Sequence, residues 1–241
     1  MPAGDDTPAV RRTPRTYWVA GTAVLLALLF AAAATVTAAS GDTGGSGTQA
    51  RTPALHSPDA GFARDMAVHH QQAVEMSFIV RDRTQDEAVR SLAYDIANTQ
   101  ANQRGMLLGW LDLWGLPKVV AGEPPMSWMG TSGASGTSGP DSGHAGHGGG
   151  HAAKPGALMP GMATKEELTR LDAASGRDAE VLYLQLMTDH HIGGVAMAEG
   201  CAQQCQTPVE RELAQGMVDA QASEITLMAD MLRQRGAAPR G

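Results

Sequence analysis

Apolar positions along the chain fall into three regimes. From Trp18 to Ala39 they are almost continuous and uninterrupted by charge. Over 57–115 and 164–236 they recur every three or four residues, the spacing of one helix face. Over 41–56 and 116–163 the pattern dissolves into Gly, Ser, Thr and Pro. The continuous run meets the roughly 20 residues that a helix needs to cross a hydrocarbon core. Arg11, Arg12 and Arg15 precede it, which places the N-terminal stub in the cytoplasm and the rest of the chain outside. Residues 1–40 are therefore expected to be either a transmembrane anchor or a signal cleaved near the small residues Thr37–Ala39, and both readings stay open.

The two periodic blocks are one unit written twice. A shift of 121 residues without a gap lays Met66 on Met187, His69-His70 on His190-His191 and Met76 on Met197. It also lays Arg90 on Arg211, Gln100-Ala101 on Gln221-Ala222, Leu111 on Leu232 and Gly115 on Gly236. Such self-similarity marks a duplicated supersecondary unit. Each unit reads as a helical hairpin. Ser57-Pro58 gives an N-cap with proline at the first helical position. Thr84–Glu87, Thr164–Glu167 and Thr207–Glu210 each have the spacing of a capping box, and Ser175 precedes the long helix of the second unit. A single amphipathic hairpin cannot bury its apolar face, so the expected class is all-α. The two hairpins, 57–115 and 164–241 (its helices ending by 236), pack as a four-helix bundle. Residues 41–56 are expected to be a flexible tether. The linker 116–163, with prolines at 124, 125, 140, 155 and 160, is expected to hold no persistent helix or strand.

Composition narrows the function. Lys and Arg number 18 against 25 Asp and Glu, a net charge of −7, with no basic cluster beyond the N-terminal stub. Nucleic acid is therefore not an expected partner. Two cysteines are too few for a disulfide scaffold or a four-Cys zinc site. Cys201 and Cys205, four apart in an exported segment, are a disulfide candidate, with a Cys-x-x-x-Cys copper site as the lesser alternative. The surplus of 13 Met and 8 His is the unusual entry.

Helical geometry gives that surplus an address. Met66, His69, His70 and Met76 occupy a sector about 120° wide, the width of one buried stripe. Met187, His190, His191 and Met197 repeat it, and Ala73 and Gly194 one turn on leave room for a neighbouring helix or an ion. One buried Met or His at helical spacing is ordinarily core. Two register-matched His pairs with the same Met offsets point instead to metal ligation, because buried imidazoles need partners. Imidazole suits copper and zinc, and thioether adds a preference for Cu(I), so copper is the expected ion and zinc the alternative. A di-iron site is disfavoured: Glu75 and Asp65 are matched by Ala196 and Leu186, and neither unit has Glu-x-x-His. Met159 and Met162 at the linker end are further ligand candidates. His144, His147 and His151 are weaker ones, flanked by Met126 and Met129 at the other edge. His56 has no evident role.

At MAVHHQQAVEM, MTDHHIGGVAM, the linker end MPGM and the pattern around Gln100 and Gln221, the sequence resembles an exported double-histidine family, domain of unknown function 305. The resemblance covers nearly all of 57–236. It implies a ferritin-like four-helix bundle outside the cytoplasmic membrane and copper association in some members, and it brings no catalytic activity with it. Carried over, it points to His69, His70, Met76, His190, His191, Met197, Met159 and Met162. The second motif departs from the first in carrying Gly193-Gly194 and in lacking a carboxylate at Ala196.

The expected function is thus extracytoplasmic copper binding, for sequestration, tolerance or transfer. The partners expected are the metal ion, the membrane through the N-terminal run, and a second copy or a copper-handling protein. A metal-dependent oxidase on the same bundle is the alternative, as is an interaction module whose His pairs serve as a polar lock.

Overall fold

Four long helices and one short one carry the described part of the chain. The computed structural model describes residues 52–131 and 153–240, and these belong to one compact unit, Ala50–Gly241. The apolar run Trp18–Ala39, most of the tether 41–56 and the linker histidines His144, His147 and His151 lie outside the described residues. Among the described residues there is no strand, and no helix is long and apolar enough to cross a membrane.

The helices are α1 (Pro58–Arg83), α2 (Glu87–Trp114), α3 (Lys165–Ala173), α4 (Gly176–Gln204) and α5 (Pro208–Gln234). Ser57 caps α1, its Oγ accepting from the Ala60 N–H at 3.3 Å, with Pro58 at the first position. Thr164 and Glu167 form a reciprocal capping box on α3. α2 and α5 end alike on left-handed glycines, Gly115 and Gly236. The following N–H groups reach back to Leu111 O and Leu232 O, both at 2.9 Å.

Two of the predicted capping boxes do not form. The cap of α2 is Asp86, not Thr84: the Asp86 carboxylate accepts from Val89 N–H at 2.9 Å, while the Thr84 hydroxyl accepts from Asp86 N–H at 3.0 Å and donates to Glu180 Oε1 at 2.6 Å. Thr207 stands at the start of α5 without a side-chain cap. Asp59 of α1 does that work instead, Oδ1 accepting from the Gln206 and Thr207 N–H groups at 2.9 and 2.7 Å. At α5 a tertiary contact has replaced a local one, whereas at α2 the local cap has moved two residues along.

α1 packs with α2, α4 with α5, and the two hairpins meet along α1 and α4. These two run antiparallel. Thr84 near the end of α1 reaches Glu180 near the start of α4, Ser77 Oγ and Tyr183 Oη lie 3.1 Å apart, and Trp128 lies close over both Gly61 and Gly200. Midway between these contacts the His69 ring stacks on that of His190, its own counterpart in the repeat, at 3.8 Å between centroids. A residue that meets its counterpart marks the pseudo-twofold axis, so the axis passes through the histidine pairs.

The linker edges are more ordered than their composition predicts. Ser127–Thr131 form a 3-10 turn whose Trp128 is buried against Phe62, with ring centroids 5.8 Å apart. Asp65 holds the turn, Oδ2 accepting from Met126 N–H at 2.7 Å and Trp128 Nε1–H at 2.9 Å. One aromatic with a place in the core outweighs the surrounding Gly and Pro.

Candidate metal centre

The core is two apolar clusters separated by a polar layer. One cluster holds Phe62, Met66, Leu107, Leu111, Met159, Met162, Met197 and Met217; the other holds Met76, Val80, Ile96, Tyr183, Met187 and Met228. Between them each long helix contributes two polar side chains: His69 and His70 from α1, Gln100 and Gln103 from α2, His190 and His191 from α4, Gln221 and Glu224 from α5. The α1 and α4 residues are a repeat pair on each line, as are the α2 and α5 residues. The four histidines are fully buried.

Every imidazole uses one nitrogen. His69 Nε2 pairs with Pro160 O at 3.2 Å, His190 Nε2 with His69 O at 2.9 Å, His70 Nε2 with Gln103 Oε1 at 2.9 Å and His191 Nε2 with Glu224 Oε2 at 2.7 Å. All four partners are oxygen acceptors, so Nε2 carries a proton, and on a neutral ring Nδ1 then presents a lone pair. None of the four Nδ1 atoms has a hydrogen-bond partner, and Gln100 and Gln221 in the same layer also leave amide atoms unpaired. At roughly 1–3 kcal/mol for each unmet buried group, the layer costs an amount comparable to the roughly 5–15 kcal/mol net stability of a whole domain. Burial, reinforced by neighbouring rings, lowers the His70 pKa to about 3 and that of His190 well below the ordinary value. Burial likewise lowers His69 to about 4, against the Pro160 bond. These three rings are thus neutral at neutral pH, the form that binds metals.

The linker end MPGM lies directly on this layer. Its Pro160 carbonyl accepts from His69, and its backbone presses on α4. A Cβ on Gly193 would fall 2.1 Å from Pro160 O, and one on Gly161 would fall 2.3 Å from Asp189 O. Gly193 is therefore a seat for the loop. Gly194, expected to leave room for a helix or an ion, is filled by α5, since a Cβ there would come within 2.5 Å of Gln221 Oε1. Gln72 clamps the loop's far side through Ala163, accepting from its N–H at 2.6 Å and donating to its carbonyl at 2.9 Å.

A family described as domain of unknown function (DUF305) matches the chain over residues 59–232. The chain belongs to the DUF305 family. Among solved structures it is similar to a DUF305 protein from Streptomyces coelicolor, with 57% identity, 78% of this chain and 99% of that one covered, and a TM-score of 0.66. A DUF305 fragment from Deinococcus radiodurans is 27% identical over 76% of this chain and 99% of its own, TM-score 0.56. CopM in its Cu(II)-bound form shares the fold at 20% identity, covering 74% and 97%, TM-score 0.50. No curated protein matches.

Within the DUF305 domain the candidate ligands are distributed as follows. The layer brings His69, His70, His190 and His191 together. Met66, Met159, Met162 and Met197 lie in the apolar cluster on one side and Met76 and Met187 in that on the other, so the antiparallel crossing splits each helix's Met pair. Glu75 is exposed and outside the layer. His56 pairs with Glu123 at 3.3 Å, near the surface. Among the described residues, the one group of three His, Cys or carboxylate ligand atoms within 4.8 Å is Cys201, Cys205 and Glu210. Cys201 and Cys205 are joined in a disulfide, which withholds both sulfurs from a metal. Gln103 and Glu224 escaped the sequence reading. They differ in identity, so a search for matching residues passes over them, yet each stands 33 residues after its histidine.

Proposed function

We propose that this DUF305 protein is an extracytoplasmic copper-binding protein on a ferritin-like four-helix framework, sequestering the ion or handing it on. The observation that carries the reading is the set of four buried Nδ1 lone pairs, each on a ring whose Nε2 proton is already committed to an oxygen acceptor. That is the arrangement of metal-ligating histidine: one nitrogen held by an outer partner, the other free to coordinate. Three of the rings are held neutral by burial, so these nitrogens need not shed a proton first.

Copper in the Cu(I) state is favoured over zinc. Zinc sites take three or four convergent nitrogen, sulfur or oxygen donors. No three imidazole or carboxylate atoms converge within 4.8 Å in this layer. Cu(I) accepts fewer donors and favours thioethers, which Met66, Met159, Met162 and Met197 offer on one side and Met76 and Met187 on the other. Copper-bound CopM has the same fold. The linker histidines His144, His147 and His151 would raise the local ion concentration as a tethered arm. The Streptomyces relative is described as a candidate secreted protein, which accords with an export signal or anchor in residues 1–40. A copper-handling protein or a second copy is the partner this role calls for.

A second reading makes the layer a polar lock of helix register, favoured by the one bond each imidazole already makes. The two separate by titrating the full chain with Cu(I), Cu(II) and Zn(II), beside a variant with His69, His70, His190 and His191 changed to Ala. Tight stoichiometric Cu(I) binding, lost in the variant, supports the copper role. Absence of copper binding in both chains, with only stability altered, supports the lock.

A further inference from the structure

The two halves of the polar layer differ at one matched position. His70 and His191 are repeat counterparts, each bonded through Nε2 to a residue 33 positions later on the facing helix of its own hairpin. In the first half the acceptor is the neutral amide oxygen of Gln103, at 2.9 Å; in the second it is the carboxylate of Glu224, at 2.7 Å. Glu224 is the sole carboxylate among the eight residues of the layer. Its side chain is about a quarter exposed while the His191 ring is fully buried, so the charge sits at the rim and the imidazole projects inward.

We infer that Glu224 is a positioning and specificity-determining residue that makes His191 the dominant nitrogen donor of the centre, with His70 its weaker counterpart. This rests on the copper reading above. The chemistry follows from the acceptor. A carboxylate accepting the Nε2 proton forms a charge-assisted bond, roughly twice as strong as a neutral one, and fixes the ring's tautomer and orientation. It also draws the N–H proton toward itself and returns electron density to the ring, which makes Nδ1 the stronger electron-pair donor to a metal. Its negative charge further offsets that of an entering cation, a service the Gln103 amide cannot give. Duplication made the two donors equivalent in register, and this substitution makes them unequal in strength.

The test moves the carboxylate from one half to the other. Competitive Cu(I) titration of the full chain is performed on the wild type, Glu224→Gln, Gln103→Glu, and the double variant carrying both. Outer-partner changes ordinarily alter metal affinity about 10–100-fold. Glu224→Gln is expected to weaken the tightest binding by that order with little change in melting temperature, since the amide still accepts the bond. The double variant is expected to regain most of the affinity, because Gln103→Glu supplies the carboxylate to His70. A merely structural role for Glu224 on α5 would not be rescued from α2. Unchanged affinity in Glu224→Gln, or a loss that the double variant does not recover, overturns the inference while leaving copper binding standing. No Cu(I) binding in any chain overturns both.

Discussion

Gly193→Ala should unseat the MPGM loop, and its cost can be worked from the contacts. The added Cβ would lie 2.1 Å from Pro160 O, 2.6 Å from Pro160 C and 2.9 Å from Gly161 N. All three are backbone atoms, so no rotamer change relieves them, and the loop must retreat by about 1 Å to reach ordinary contact. Overpacking of this kind costs about 1–3 kcal/mol. The retreat also breaks the bond between His69 Nε2 and Pro160 O, leaving a buried donor unmet at roughly 1–3 kcal/mol. Better helix propensity returns only about 1 kcal/mol. The net loss is about 1–5 kcal/mol, and for a domain of this size each kcal/mol lowers Tm by roughly 2–4 °C. Gly105→Ala and Gly216→Ala are the internal controls, since nothing lies within 4 Å of either added Cβ. Both should be neutral or stabilising by up to about 1 kcal/mol. Thermal and urea denaturation of the three variants gives the comparison. A Gly193→Ala protein as stable as the controls would refute the seating of the loop on α4.

Further outcomes follow from residues away from the histidines. Glu210 is buried beside Asp59, and burial together with that neighbouring carboxylate raises its pKa to about 9. Neither of its oxygens has a donor nearby, so it bonds Asp59 only by carrying a proton of its own. Since the unfolded value is the lower one, near 4.5, this stabilisation is full below that pH and is lost as pH rises through about 9. Urea midpoints of the wild type should therefore fall between pH 5 and 9 more steeply than those of Glu210→Gln, and parallel slopes would contradict this. Replacing Cys201 and Cys205 by Ser removes a short closed loop, with a stability loss of about 2 kcal/mol. Because the first unit has Val80 and Thr84 at these positions, Cu(I) affinity should be unchanged in that variant, as read by competition with a chromogenic chelator. Trp128→Ala should cost about 3–5 kcal/mol in chemical denaturation, since its indole fills space between Phe62, Gly61 and Gly200.

What could be read from the sequence, and what could not, divides by the range of the interaction. The helices at Pro58 and Lys165, the glycine stops at 115 and 236 and the register of the His pairs depend on neighbours within a few residues, and their spacing carries that information. Thr84 and Thr207 have the same local signature as Thr164, yet Asp86 caps the helix in place of one and Asp59 of a distant helix stands in for the other. The meaning of Gly193 was likewise invisible, because the backbone it admits belongs to a loop more than thirty residues earlier. Helical angles put His and Met on one stripe correctly. They could not show that α1 and α4 cross antiparallel at the histidines, which sends Met66 toward Met197 and Met76 toward Met187. The acceptors Gln103 and Glu224 needed the repeat to be read for matched positions with different residues.

The proposed copper centre draws its nitrogen donors from among the buried Nδ1 lone pairs of the layer. Nitrogen-15 NMR of the histidine side chains tests it most directly, recorded on the full chain before and after Ag(I), a diamagnetic stand-in for Cu(I). The metal-free protein should show His69, His70 and His190 as neutral Nε2–H tautomers at neutral pH. On adding the ion, Nδ1 resonances of the layer should shift while the Nε2 protons stay in place. Rings protonated on Nδ1, or Nδ1 resonances that do not move when the metal binds, would contradict it.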